Sequence, residues 1–117
     1  MGSVLLTTMI ALLNAARLAA HVPALTEDPA LQGRAQARAE TLCARGQFSH
    51  DGFPAAFAGL AYKWRGENLA KGQRDAASTH AALMASPGHR ANILKREFGA
   101  VGVGHACDIT VELFGGK

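Results

Sequence analysis

The hydrophobic period changes once along this chain, and that change restricts its possible folds more than any other feature. Leu5, Met9, Leu12, Leu13 and Ala16 recur at the spacing of one helical face. Near the other end Val101, Val103 and His105 alternate with small residues, and Ile109, Val111 and Leu113 alternate with polar ones, which is the period of a strand. Helices first and a small sheet last define an α+β layer architecture.

Local punctuation divides the helical part. The first helix runs from about Leu5 to Ala20, because Pro23 forbids its continuation. Asp28 before Pro29 opens a second: the carboxylate can cap free amides and proline suits the first helical position. Its apolar stripe is Leu31, Ala35, Ala39, Leu42 and Cys43, and Gly46 should end it. Arg34, Arg38, Glu40 and Arg45 on its other face read as a solvated surface. Phe48 to Gly52 is a turn, Pro54 to Leu60 a short helix, the segment Tyr62 to Ala70 (YKWRGENLA) a strand with Glu67 and Asn68 in its last part, and Lys71 to Arg74 a loop. Further helices start near Asp75 and at Ser86-Pro87, and the terminal hairpin turns near Cys107 and Asp108.

A chain of 117 residues with 49% hydrophobic and 18% charged residues can bury a core as one domain. Its formal charge of +3 comes from cations scattered as singles and pairs, so no nucleic-acid partner is expected. The apolar run Val4 to Leu13 is too short to span a bilayer, and no transmembrane segment is expected. Met1 to Ser3 read as a start and cloning scar standing where a native leader would be, with the domain occupying residues 4–117 as a monomer. Cys43 and Cys107 form no CxxC motif; they either pair in an oxidising compartment or serve as two small buried apolar residues.

Histidine is the side chain best suited to chemistry near neutral pH. His50 sits in a turn between Ser49 and Asp51, and His89 in the first turn of a helix, a place that suits a neutral, metal-binding ring. Ser86 ahead of His89 is a helix cap rather than a nucleophile. Glu67 could orient an imidazole, act as a general base or complete a metal site, or it could instead cap a helix or pair with Arg90. Spacing alone anchors no metal here, because no HxxxH or CxxC is present.

The segments LLNAAR, LTEDPAL, FSHDG, GENLAKG, SPGHRANIL, VGVGHA and LFGG resemble, in this order, the CAP superfamily of cysteine-rich secretory, antigen 5 and pathogenesis-related proteins, in its short bacterial form. The resemblance implies a three-layer α-β-α sandwich with a small, mainly antiparallel sheet. It also implies a cleft lined by His50, Glu67 and His89 that holds Zn²⁺ or another divalent metal between the two histidines. Two departures stand out: no acid lies between Asp75 and Glu97, where many eukaryotic members carry a second glutamate, and Leu83 stands where tryptophan is common. His80 could partly replace the missing polar group.

The resemblance implies a secreted, extracellular or periplasmic binding module for an envelope glycan, lipid or protein, with binding rather than catalysis as its leading role. Two alternatives are a metal-dependent hydrolase in which Glu67 activates a bound water, and a lipid or sterol carrier using a groove between helices, which the alanine-rich faces of helices one and two also suggest.

Overall fold

The computed structural model describes residues 2–117, so Met1 and any reading of it as part of a scar lie outside the described residues. Among the described residues four helices and four strands follow one another as α1 (Gly2–Ala19), β1 (Thr26–Glu27), α2 (Pro29–Arg45), β2 (Trp64–Lys71), α3 (Ala76–Ala85), α4 (Pro87–Ile93), β3 (Ala100–Ala106) and β4 (Ile109–Gly116). A 3-10 turn, Phe53–Phe57, precedes β2. Strand order is β1-β3-β4-β2, with β1 parallel to β3 and the other pairs antiparallel. The parallel, two-residue β1 is not foreshadowed in the sequence pattern, whereas β2 ends at Lys71, one residue beyond the expected end at Ala70, and starts at Trp64 rather than Tyr62.

The punctuation acts as expected around α2. Asp28 accepts a hydrogen bond from Ala30 N, and Gly46 closes the helix in the left-handed conformation at φ 59°. Ser86 occupies the position before α4, yet its hydroxyl makes no capping bond; Asp75 provides the reciprocal capping box, with Ser78, at α3.

Strand alternation sorts the sheet into two cores. Leu69, Val111 and Leu113 pack with Leu31, Ala35, Ala39 and Leu42 of α2. Val101, Val103 and Phe114 face the other way, onto Met9 and Leu13 of α1, Leu83 of α3 and Ile93 of α4. This is the three-layer sandwich. α1 and α2 lie on opposite sides of the sheet, and Ala35 and Ala39 of α2 serve close packing against it.

That packing depends on two glycines. A Cβ at Gly102 or Gly104 would collide with the carbonyls of Leu31 or Ala35, so only a bare backbone on β3 allows α2 to lie this close. The approach brings Gln32 and Gln36 onto the edge of β3. Gln32 accepts from Val103 N at 2.9 Å and donates to Val103 O; Gln36 accepts from His105 N and donates to His105 O, both at 2.9 Å. Each amide thereby satisfies one residue's backbone as a neighbouring strand would.

Candidate functional site

Glu67 lies in the middle of β2, an edge strand of the sheet, with its side chain on the α2 side. That side chain is only 1% exposed. A buried carboxylate needs partners, and two supply them. Arg38 of α2 donates from Nε to Oε2 and from Nη2 to Oε1, and His50 Nδ1 lies 2.7 Å from Oε1. Among the roles open to Glu67, a pairing with Arg90 is not the one it takes: its partner is Arg38, which does not belong to a solvated face. It is 8% exposed because the FSHDG turn folds over it.

Arg38 also shapes that turn. It donates to the carbonyls of Ser49 and Asp51, both at 3.2 Å, while Gln47 donates to Ser49 Oγ at 2.9 Å. One guanidinium thus fixes both the acid and the loop that carries His50. The imidazole itself is 60% exposed, so its Nε2 edge is presented to solvent while Nδ1 is held by the acid.

His89 reaches the same strand from the other side. Asn68, next to Glu67 and pointing to the opposite face, donates to the backbone carbonyl of His89 at 3.1 Å. Asn92, also on α4, donates to Glu67 O at 3.3 Å and to Asn68 Oδ1 at 2.9 Å. Glu67 is therefore the junction: its side chain holds His50 and its backbone holds the helix of His89. The His89 ring is half-buried and makes no hydrogen bond to His50 or Glu67 among the described residues. His80 has a buried Nδ1 without a hydrogen-bond partner among the described residues, and burial lowers its pKa.

Beneath this junction sits an acid that pattern reading missed. Glu112 on β4 lies opposite Asn68, is fully buried, and accepts from Asn68 Nδ2 through Oε1 at 3.1 Å; its Oε2 has no partner among the described residues. Burial pushes its pKa up to about 7, against a smaller opposing effect of the Asn68 hydrogen bond. The unfolded chain releases this proton near pH 4.5, so between these values the folded state holds more protons. Stability from this group is therefore complete at low pH and falls as pH rises toward 7, by on the order of 3 kcal/mol. Glu112→Gln should flatten that decline and raise stability at pH 8 by about 2 kcal/mol. Urea denaturation at pH 5 and pH 8 checks this, and an unchanged slope in the variant would contradict it.

The residues present can be tested against a metal. No group of three or more His, Cys, Asp or Glu side chains gathers at a metal-binding distance among the described residues. Both oxygens of Glu67 accept hydrogen bonds and its side chain is nearly fully buried, which suits it less to direct coordination than to a place behind a ligand. It fits as the carboxylate behind a ligating imidazole, the arrangement that orients histidine at metal centres.

The two-faced sheet and the His50–Glu67 junction define a CAP-type α-β-α domain. Residues 10–110 match the family model for CAP, the cysteine-rich secretory protein family, and the chain belongs to that family. It is 35% identical over 104 residues to the protein YkwD of Bacillus subtilis, covering 83% of this chain and 40% of that one. Its fold matches an extracellular SCP-domain protein of Bacillus anthracis with TM-score 0.90 at 23% identity, covering 99% of this chain and 41% of the other. It also matches an outer surface protein of Borrelia burgdorferi with TM-score 0.82 at 18% identity, covering 93% of this chain and 90% of that one. The chain thus spans about two fifths of the length of YkwD and of the Bacillus anthracis protein.

Proposed function

We propose that this domain is a binding module working outside the cytoplasm, with its recognition site at the exposed edge of His50. The observation that carries this reading is the contrast between a solvent-facing imidazole and the buried acid that fixes it. A freely solvated histidine needs no such support; a recognition group gains from being held in one orientation. The compartment is supported by the Cys43–Cys107 disulfide and by the surface locations named for two structural neighbours. Among the described residues no helix is long and apolar enough to cross a membrane.

The ligand set includes a divalent cation such as zinc. His50 through Nε2 and His89 through its ring would hold it, and Glu67 would keep His50 in the ligating tautomer. When bound, the ion would supply a Lewis-acidic point for an anionic atom of a partner. Calorimetric titration of zinc should show one site in the native protein, none in His50→Ala or His89→Ala, and an affinity about tenfold or more weaker in Glu67→Gln. Equal binding by the native protein and both histidine variants would remove the site.

The hydrolase alternative draws no support from this geometry. Glu67 is held by Arg38 and His50, and a general base must be available to accept a proton from water.

A further inference from the structure

Beside the His50 turn, α2 and the segment C-terminal to it enclose a hollow of about 300 Å³. Arg34, Arg38 and Arg45 lie along one wall. At 100° per residue these three positions fall within about 40° of one another on the helix, so they form a single stripe. Small residues make the hollow: Ala37 and Thr41 between the arginines, and Gly52, Ala55 and Ala56 opposite them.

The charges in this hollow are unbalanced. Arg38 is matched by Glu67 beneath it. Arg34 spends one N–H on Ala56 O at 3.2 Å, and neither Arg34 nor Arg45 is ion-paired among the described residues. Asp51 is the one acid in the lining among the described residues. Two guanidinium forks therefore remain with donors to offer, and such forks match the planar or tetrahedral oxyanions of carboxylate and phosphate. Arg34 and Arg45 are eleven residues apart, about 16 Å along the helix axis, too far for one small anion to bridge comfortably. The spacing suits an extended ligand whose negative groups recur along its length.

We infer that the α2 hollow is a binding site for a linear acidic saccharide or polyol chain, lying along the helix with anionic groups at Arg34 and Arg45. Carboxylate-bearing and phosphate-bearing chains share this chemistry. The site needs no metal at His50, so it stands or falls separately from the zinc reading.

Fluorescence anisotropy with two labelled probes tests the inference: a short polygalacturonate oligomer for carboxylates and a glycerol-phosphate oligomer for phosphates, each at low ionic strength. The native protein should bind at least one of them, and the stronger probe identifies the anionic group. Arg34→Gln/Arg45→Gln should weaken binding at least tenfold, while the charge-matched control Lys63→Ala/Arg74→Ala stays within twofold and zinc binding is unchanged in both. Circular dichroism confirms that each variant is folded, with Arg45→Gln alone as the fallback should the pair fail. The inference is overturned if neither probe binds, if both double variants weaken binding equally, or if a single-stranded oligonucleotide of equal charge binds as tightly as the better probe. The last two outcomes would reduce the site to general attraction between opposite charges.

Discussion

Arg17→Met should destabilise the protein by about 4 kcal/mol or more, enough to leave a domain of this size marginal. Arg17 is 0% exposed, and no carboxylate pairs with it among the described residues. Its guanidinium donates instead to four carbonyls: Pro23 at 2.7 Å, Ile93 and Lys95 at 2.9 Å, and Phe98 at 2.8 Å. These belong to the loop after α1 and to the passage from α4 into β3. Burial, with Arg96 adding to it, holds the Arg17 pKa below its ordinary value, and the converging carbonyl dipoles compensate the charge. Methionine fills similar space but leaves all four acceptors dry, each costing roughly 1–3 kcal/mol if water does not reach it. Urea denaturation measures the loss; a variant within about 1 kcal/mol of the native protein would show that the carbonyls find other partners. Arg17→Lys should recover only part of the loss, since an ammonium offers three donors and no fork.

The second large effect concerns Cys43 and Cys107, whose Cα atoms lie 5.9 Å apart and which close a 64-residue span. In the chain-entropy treatment a loop of this length contributes about 4 kcal/mol, chiefly by restricting the unfolded chain. The bond ties the end of α2 to the β3–β4 turn, where Cys107 adopts φ 55°. Dithiothreitol should lower the urea midpoint of the native protein and leave that of Cys43→Ser/Cys107→Ser unmoved, with the reduced protein and the double variant alike in stability. A midpoint indifferent to reductant would show that the bond adds nothing to stability.

Whatever depends on neighbours in the chain was legible from the sequence. Asp28-Pro29 and Gly46 bound α2 through contacts within four residues, and the alternation from Val101 to Leu113 needs only the pleat to become a hairpin. Pairings across the chain were not. A two-residue strand such as Thr26–Glu27 has too little pattern to detect, and its partner lies over seventy residues away. Arg38 borders the apolar stripe as a charged residue borders any amphipathic helix, and only the overlying turn distinguishes it from its neighbours.

The burial of the tail's polar residues has a clear reason. Polar residues alternating with apolar ones ordinarily face water, but this sheet is covered on both sides, so Thr110 and Glu112 are buried. The glycines of VGVG did carry a signal. Alternate glycines in a strand mark a close backbone approach, and that rule points to the helix lying across Gly102 and Gly104. Of the candidate site, Asn68 and Asn92 sit in the same motifs as Glu67 and His89, whereas Arg38 and Glu112, on α2 and β4, share no local motif with the residues they support.

Gln32 and Gln36 also act like the teeth of a gauge. Four residues of helix advance about 6 Å, and two residues of strand advance about 6.6 Å, so two amides one helical turn apart mesh with Val103 and His105 and with no pair displaced by one residue. A slip of α2 by a single residue would unseat both teeth together. Arg38 and Cys43 ride on the same helix, so the meshing that indexes α2 also sets the distance at which a guanidinium meets Glu67 and a sulfur meets Cys107.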